Sequence, residues 1–313
     1  WCRGTESDIR AAVMAGTNGA HISFPVSNLL MEAMGKNSQW VFKQMHELID
    51  FALPLFDYVT IGAQDASRAD KTFLKEFVCA AAAFGASRVR LADTVGVLNP
   101  ITTFELVSSV RSVEKELPLE IHAHNDLGMA TANTLAAYMA GANCLSTTIN
   151  GLGERAGNAA MEEVAMALEL SSGIPSTLYT EKLSELSEYV AKVSKRTLSE
   201  SKPITGSMVL THESGIHTNC LLRNRNSYQL ISAEKIGKTE PKFLIGKHSG
   251  KATIRFYLAE ANLPYTDEDC VLLVEKVKEC AEALKRAITK EELLDLYTAG
   301  LTEKRKLEFN LNQ

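Results

Sequence analysis

Short apolar runs alternate with longer amphipathic stretches through the first half of the chain. The apolar runs are rich in β-branched residues and predict strands at 20–24, 58–61, 88–91, 119–123 and 144–149. Stretches with apolar residues at helical spacing follow these runs, at 39–53, 71–84, 101–115, 128–140 and 158–171. Strict alternation of strand and helix predicts a parallel α/β sheet, closed or open, with one strand-helix unit every 25–36 residues.

The alternation stops near residue 175, which predicts a second region with a different architecture. Helical patterns return at 180–198, 266–287 and 290–296, whereas 203–251 is irregular and rich in glycine, asparagine and histidine. We therefore expect an α/β catalytic domain over 1–174 and a mainly helical region over 175–313.

The composition is that of an ordinary globular protein, with 45% hydrophobic and 23% charged residues among 313. The net charge is −5 and no block of basic residues occurs, which argues against nucleic acid or anionic membranes as partners. The most apolar stretch, 78–86, is far shorter than the ~20 residues that span a bilayer. Six scattered cysteines without a CxxC pair indicate reduced thiols, so we expect a cytoplasmic protein.

The strongest chemical signal is the segment His122-Ala-His124-Asn-Asp126 at the end of the predicted strand 119–123. Because side chains alternate along a strand, the two histidines point to the same side and can share one metal ion. They also lie at the carboxyl end of a strand, where α/β barrels keep their active sites. The pattern predicts a metal site.

Two glycine-rich segments need separate interpretation. The loop from Asn150 to Asn158 has its third glycine one residue late for a dinucleotide-binding loop, so we interpret it as a tight loop that approaches a ligand. Asn158 offers a carbonyl oxygen to a hard cation there. The segment from Gly246 to Ala252 lacks both the spacing and the hydroxyl residue of a phosphate-binding P-loop.

Polar residues also follow the other predicted strands. They are His21 and Ser23 after the first, Gln64 and Asp65 after the second, and Asp93 and Thr94 after the third. Together, five consecutive strands deliver polar groups to one end of the sheet, as a barrel active site requires. In the irregular segment, His212, His217 and Tyr228 stand out as polar residues of a long loop of the kind that often forms a lid.

These motifs together resemble the isopropylmalate/homocitrate synthase family. The resemblance rests on Leu91-Ala-Asp-Thr94-Val-Gly, the His122–Gly128 segment, the Asn150–Asn158 loop and Gly215-Ile-His217, and it covers essentially the whole chain. Within the family, the segments 21–27, 64–70 and 150–168 look most like nitrogenase-type homocitrate synthases. The resemblance implies a TIM (β/α)8 barrel, followed here by a mainly helical region with linker, dimerisation and lid subdomains.

The resemblance also implies a reaction. A divalent metal (Mg, Mn or Zn), held by His122, His124 and Asn158, would bind a 2-oxo acid to which the acetyl group of acetyl-CoA is joined. Thr94 would hold the substrate carboxylate and His21 would line the pocket. His217, with Tyr228 beside it, would be catalytic and would reach the barrel of a second copy, so a homodimer is expected. Histidine suits proton transfer because its pKa lies near working pH.

The chain departs from the family in its first barrel strand, which carries an Arg-Asp pair that is not found here. If the strand near Ser146 is the eighth and each unit has ~31 residues, the family's first strand would lie about 70 residues before Trp1. We therefore expect an amino-terminally incomplete barrel, containing about strands three to eight. It would be a fragment of a longer enzyme, a chain completed by a separate amino-terminal subunit, or a noncatalytic remnant.

The second departure is Gln64, the third candidate catalytic residue, which stands where the family usually has glutamate. An amide cannot act as a base. Thr60 also replaces the substrate-binding arginine of lysine-pathway homocitrate synthases. The chain ends at Gln313 without the regulatory domain of leucine-inhibited synthases, so 2-oxoglutarate is the preferred acceptor, with oxaloacetate, 2-oxoisovalerate and pyruvate as alternatives. A lyase of the hydroxymethylglutaryl type requires a cysteine in a glycine-rich loop near the eighth strand. Glu154 and Arg155 occupy that region instead, which argues against a lyase.

Overall fold

The computed structural model describes residues 1–239 and 242–311, with side chains described as far as residue 300. Two compact units result: one comprises residues 1–178 and 189–194, and the other comprises residues 179–188 and 195–313. This division leaves the predicted roles of the second region as linker, dimerisation and lid subdomains untested.

The first unit is built on a six-stranded sheet in which all neighbouring strands are parallel and follow in chain order. Its strands are β1 (Cys2–Arg3), β2 (Gly19–Pro25), β3 (Tyr58–Gln64), β4 (Arg88–Asp93), β5 (Leu119–Ala123) and β6 (Cys144–Ser146). Sequential parallel strands joined by helices are the pattern of an α/β barrel, and this confirms the predicted fold class. Within the described residues, β1 and β6 pair only with β2 and β5 respectively.

Eight helices belong wholly or in part to the first unit. They are α1 (Glu6–Met14), α2 (Asn28–Ala33), α3 (Ser38–Ala52), α4 (Lys71–Ala83), α5 (Pro100–Arg111), α6 (Ala130–Met139), α7 (Met161–Ser172) and α8 (Leu183–Ser194). The three central helices α3, α4 and α5 are each preceded by a capping residue whose side chain accepts backbone N–H bonds of the first turn. The caps are Asn37, Asp70 and Asn99. The helices α1 and α2 were not predicted, because nine and six residues are too few for a clear periodic signal.

One predicted strand was too long. The run 144–149 forms a strand only to Ser146, and a 3-10 turn follows at Ile149–Gly151. The turn has a local cause: Asn150 adopts a left-handed backbone conformation (φ 61°), and the backbone N–H of Thr148 bonds to the carbonyl of Ala159 at 3.0 Å. Thr148 thus pairs with the segment at Ala159 and Ala160 instead of extending the pairing of β6 with β5.

The apolar core lies between the sheet and its helices. Side chains alternate along β2 and β4, and the buried ones face the helices; they include Ile22, Phe24, Val89 and Leu91. The alternate positions on the opposite face carry polar residues. This leaves a polar face along β2 to β5, and the site is built on it.

The strand register sets the height of each residue on that polar face. One row of paired positions runs Ser23, Gly62, Arg90, Glu120 and Cys144 across β2 to β6. The next row toward the carboxyl ends contains Ala92, His122 and Ser146, and the row below contains His21, Thr60 and Arg88. Neighbouring rows are two residues apart, which is about 6–7 Å along a strand.

The second unit has its own apolar core, formed by α10 (Lys251–Glu260), α11 (Asp267–Leu284) and α12 (Lys290–Leu311). Before them, the segment predicted to be irregular contains α9 (Gly215–Arg223) and the paired strands β7 (Thr211–His212) and β8 (Lys242–Phe243). The prediction of an irregular segment was therefore wrong for α9. Among the described helices, none is long and apolar enough to cross a membrane. All six cysteines lie in described parts of the chain and are free thiols.

Candidate functional site

A cavity of about 380 Å³ lies at the carboxyl ends of the strands of the first unit. Six of the side chains predicted for the site line it: His21, Gln64, Thr94, His122, His124 and Asn158. Arg90 and Arg155 also line it, although the sequence had not indicated a role for either. A larger cavity of about 480 Å³ in the second unit contains none of the predicted residues. The smaller cavity is the candidate site because the predicted polar side chains converge on it.

His122 and His124 lie side by side in the wall of the cavity. Their Nε2 atoms are 3.2 Å apart and their rings are nearly perpendicular, at 74°. The Nδ1 atom of His122 lies 3.0 Å from Oγ of Ser146, and that of His124 lies 2.8 Å from the carbonyl oxygen of Thr94. Outer hydrogen bonds of this kind fix the orientation of metal-binding imidazoles. Both Nε2 atoms are thereby directed at one point.

The tautomer of His124 depends on two neighbours with opposite demands. The carbonyl of Thr94 can only accept a hydrogen bond from Nδ1, whereas the guanidinium of Arg155, at 2.7 Å, can only donate one to it. Nδ1 therefore satisfies one neighbour at a time. Only the tautomer that donates to Thr94 leaves a lone pair on Nε2 for a metal.

Asn158 completes the cluster of possible ligands. Its side-chain NH2 donates to the carbonyl of Leu152 at 3.1 Å, while its Oδ1 is buried without a hydrogen-bond partner among the described residues. A backbone bridge joins His124 and Asn158. An orphaned buried amide oxygen next to two convergent imidazoles fits a hard divalent cation.

The loop that presents Asn158 depends on glycine. Gly157 has φ +94°, and a Cβ atom there would lie 2.1 Å from the carbonyl oxygen of Gly151. That same oxygen accepts the backbone N–H of Asn158 at 2.9 Å. At Gly153, a Cβ atom would meet the side chain of Asn158 at 2.6 Å. The glycines noted in the sequence therefore permit the close approach of the loop to the asparagine.

Thr94 and Gln64 occupy the ends of neighbouring strands. The Thr94 hydroxyl accepts the backbone N–H of Asp65 at 2.8 Å, which ties the end of β3 to that of β4. Asp65 is fully buried and holds Ser27 and Arg68, so it serves the structure of the loop. The Gln64 side chain is half-buried at the cavity and has no hydrogen bond to another described side chain.

His21 lies deeper, on β2. Its Nδ1 is 2.8 Å from the hydroxyl of Thr60 in the same row. Burial, with a further contribution from the positive charge of Arg90, lowers the pKa of His21 to about 3. Burial likewise lowers the pKa of His122 to about 4, with His124 and Arg90 adding to the effect. Both imidazoles are neutral at physiological pH, the form in which a nitrogen can bind a metal or accept a proton.

Arg90 could have been found from the alternation along β4. In the run Arg88-Val-Arg90-Leu-Ala-Asp93, the apolar Val89 and Leu91 face the helices, so both arginines must face the polar side. Both form ion pairs with the buried carboxylate of Glu120 on β5, at 2.8 Å for Arg88 and 2.6 Å for Arg90. An arginine in the middle of a strand, on the face opposite the helices, was therefore the sequence signal for a charged residue in the cavity.

His217 and Tyr228 lie together in the second unit. Their rings stack with centroids 4.1 Å apart and an interplanar angle of 25°. The ring of His212 lies nearby, with its centroid 6.0 Å from that of His217. Burial, with the nearby His217 adding to it, lowers the pKa of His212. His217 is half-buried near the amino end of α9, and Tyr228 is exposed.

The donors of the first unit limit the kind of metal site it can provide. Among the described residues, no group of three or more His, Cys, Asp or Glu side chains is placed to hold a metal. The available set is two imidazoles and one amide oxygen. Such a set suits a borderline or hard divalent cation that takes its remaining ligands from elsewhere, including the substrate.

Two family models match the chain, and together they cover most of it. The HMGL-like family model matches residues 1–190, and the model described as homocitrate synthase post-HMGL domain-like matches residues 204–285. The chain is 41% identical over 298 residues to 2-isopropylmalate synthase 2 of Caldanaerobacter subterraneus, covering 95% of this chain and 77% of that protein. It is 40% identical over 298 residues to homocitrate synthase 1 of Nostoc sp., covering 95% of this chain and 78% of that protein.

Solved structures show the same fold at lower identity. The HMG-CoA lyase from Brucella melitensis has a TM-score of 0.56 at 16% identity, covering 61% of this chain and 72% of the lyase. The hydroxymethylglutaryl-CoA lyase from Pseudomonas aeruginosa also has a TM-score of 0.56, at 19% identity, covering 61% of this chain and 68% of the lyase. From its two matching family models and its synthase relatives, the chain belongs to the isopropylmalate/homocitrate synthase family.

Proposed function

We propose that this chain carries the condensing site of an acetyl-CoA-dependent synthase, which joins an acetyl group to a 2-oxo acid, with 2-oxoglutarate as the preferred acceptor and homocitrate as the product. The observation that carries the proposal is the convergence of the His122 and His124 Nε2 atoms beside the orphaned Asn158 oxygen in one cavity. The synthase relatives support the reaction class. Their nearly equal identities, 41% and 40%, do not distinguish among acceptors.

His122, His124 and Asn158 would hold a divalent cation, and the residues present fit that role. When bound, the cation would act as a Lewis acid on the keto oxygen of the acceptor. The protein's own contribution is to fix both imidazoles through Ser146 and Thr94. Burial keeps His122 neutral and ready to bind.

The acceptor would be held by groups on the cavity wall. Thr94 and His21 are our candidates, Thr94 for the carboxylate next to the keto group and His21 for the pocket wall. A neutral His21 can donate or accept a hydrogen bond without repelling a cation nearby. The half-buried Gln64 amide can orient a substrate by hydrogen bonding but cannot accept a proton from it.

His217 is the candidate proton carrier. It would take a proton from the acetyl methyl, directly or through a water, and the methyl carbon would form a bond to the keto carbon of the acceptor. The former keto oxygen then receives a proton, and water cleaves the thioester to give the free acid and the thiol of coenzyme A. Tyr228, stacked on the His217 ring, would orient it. The family resemblance implies that this histidine serves a second copy of the chain, so we propose a homodimer.

The test is release of coenzyme A by the chain with acetyl-CoA and Mn²⁺. The acceptors are 2-oxoglutarate, oxaloacetate, 2-oxoisovalerate and pyruvate, and each reaction is run with and without a polypeptide that supplies the family's Arg-Asp strand. Release of coenzyme A in either condition, with or without the added polypeptide, supports the proposal and identifies the acceptor. Folded protein that releases no coenzyme A in either condition, even after Gln64→Glu, contradicts the proposal and favours a noncatalytic role.

A further inference from the structure

The polar face of the sheet carries two arginines for one carboxylate. Glu120, only 3% exposed, forms ion pairs through Oε2 with Nε of Arg88 and through Oε1 with Nε of Arg90. The three groups therefore sum to one excess positive charge. The Arg88 and Arg90 side chains are 33% and 26% exposed, so the excess charge is accessible and attracts an anion.

The excess charge is presented at the cavity by Arg90. Its side chain lines the cavity, whereas Arg88, one row lower, does not. Arg90 contacts Glu120 through Nε, and its two terminal nitrogens form no hydrogen bond to any described residue. Those two nitrogens form the fork that binds a carboxylate with two parallel hydrogen bonds. The positive charge of Arg90 also contributes to lowering the pKa of His21, which lines the same cavity.

The neighbours of Arg90 in its row, on the side of β3 and β2, are a glycine and a serine. The register aligns Ser23 with Gly62 and Gly62 with Arg90. A Cβ atom on Gly62 would lie 2.6 Å from His21 Nε2 and 2.7 Å from Ser23 Oγ, so no larger residue fits without displacing these side chains. Ser23 and Arg90 thus line the cavity in one row, on either side of Gly62.

The depth of Arg90 relates to the length of a ligand. It lies one inward row below His122, because Arg90 pairs with Glu120 and Ala92 pairs with His122. One row is about 6–7 Å along the strands. A ligand whose 2-oxo acid end lies near His122 and His124 would therefore bring a second carboxylate, two or so carbons further on, to the level of Arg90.

We propose that Arg90, with the Ser23 hydroxyl, binds the remote carboxylate of a dicarboxylic 2-oxo acid. This rests on the proposed condensing function and identifies the substrate class of that site. An acceptor with an apolar end would leave the Arg90 fork unpaired and is disfavoured. Thr60, in the row below, replaces the substrate-binding arginine of lysine-pathway homocitrate synthases. In this chain the neighbouring strand β4 would supply the arginine instead.

The matched pair Arg90→Met and Arg88→Met tests the proposal. Each removes one ion pair with Glu120, but only Arg90 lines the cavity. Binding of 2-oxoglutarate and of 2-oxoisovalerate to the full chain is measured by calorimetry with Mn²⁺, beside the coenzyme A release assay. We expect Arg90→Met to weaken 2-oxoglutarate binding about ten-fold or more, without weakening 2-oxoisovalerate binding. Arg88→Met should leave the ratio of the two affinities unchanged.

Equal weakening of both acceptors by Arg90→Met, or the same selective loss in Arg88→Met, would overturn the proposal. If Arg90→Met does not fold, Arg90→Lys takes its place, and selective weakening of 2-oxoglutarate binding is again required, because lysine lacks the fork. Failure of the condensing function has a different signature. In that case the folded native chain releases no coenzyme A with any acceptor, with or without the supplementing polypeptide. Failure of the Arg90 assignment leaves coenzyme A release by the native chain intact, and Arg90→Met leaves the ratio of the two acceptor affinities unaltered.

Discussion

The Nε2 atoms of His122 and His124 lie 3.2 Å apart, each ring held from behind through its Nδ1 atom. Two neutral imidazoles do not direct lone pairs at one another without a proton or a cation between them. In the tautomer favoured by Arg155, His124 donates its Nε2 proton to His122. In the tautomer favoured by the Thr94 carbonyl, both lone pairs are free for a metal. Metal binding by the pair would therefore require the His124 proton to lie on Nδ1, where it is donated to the Thr94 carbonyl.

Replacing one of these imidazoles tests the metal site directly. We expect His122→Ala to reduce affinity for Mn²⁺ by an order of magnitude or more, because one of two nitrogen ligands is lost. Titration of the bound metal measures this without reference to turnover. The control is His46→Ala, which removes an exposed imidazole on α3. Equal Mn²⁺ affinity in the two variants would remove the metal assignment.

The glycine loop gives a prediction about stability. A left-handed backbone at a residue with a Cβ atom costs about 1–2 kcal/mol of unfolding free energy. Gly157→Ala should lower the unfolding free energy by more than this, because its Cβ atom would also collide with the Gly151 carbonyl. Gly35→Ala is the matched control, since Gly35 has φ +65° but nothing within 4 Å of an added Cβ. Urea unfolding of both variants measures the difference.

The same pair separates loop geometry from general stability. Asn158 follows Gly157, and its backbone N–H donates to the Gly151 carbonyl, which holds it in place. Because an added Cβ at residue 157 would collide with that carbonyl, Gly157→Ala should also weaken Mn²⁺ binding. Gly35→Ala should not. Similar unfolding free energies for the two variants would show that the loop relaxes around the added methyl group.

The buried His21 predicts how stability depends on pH. Burial, with the charge of Arg90 adding to it, lowers its folded pKa to about 3, well below the ordinary value near 6.5. Below pH 6.5 the unfolded chain takes up a proton at this residue and the folded chain does not. The contribution of His21 is therefore complete above pH 6.5 and is lost progressively as the pH falls toward 3.

His21→Gln isolates this contribution, since glutamine does not titrate. Between pH 7.5 and pH 5, we expect the native chain to lose about 1–2 kcal/mol more unfolding free energy than the variant, as measured by urea unfolding with metal chelated. A parallel pH dependence in the two proteins would mean that the His21 ring is already solvated in the fold.

The fold and most of the cavity could be predicted from the sequence because their signals are local. Alternation of apolar and polar residues predicted β2 to β5, and His-x-His on β5 indicated the candidate metal ligands. Asn158 and Thr94 followed from loop and strand-end chemistry. What the sequence could not supply is pairing between strands: the sharing of Glu120 by two arginines depends on the register of β4 against β5. The same holds for the opposing demands of Thr94 and Arg155 on His124, which join residues far apart in the chain.

The last prediction concerns His217, whose ring is held by stacking on Tyr228. If His217 moves the proton of the acetyl methyl, His217→Ala should lower kcat for coenzyme A release by about 100-fold or more and leave acceptor binding unchanged, because a proton carrier acts only in the chemical step. Tyr228→Leu keeps an apolar contact on the ring but removes the hydroxyl and the aromatic stack, so a smaller loss is expected. Calorimetry with the acceptor and steady-state kinetics separate the two quantities. Loss of acceptor binding with normal turnover at saturation would assign His217 to substrate binding and leave the proton to another group.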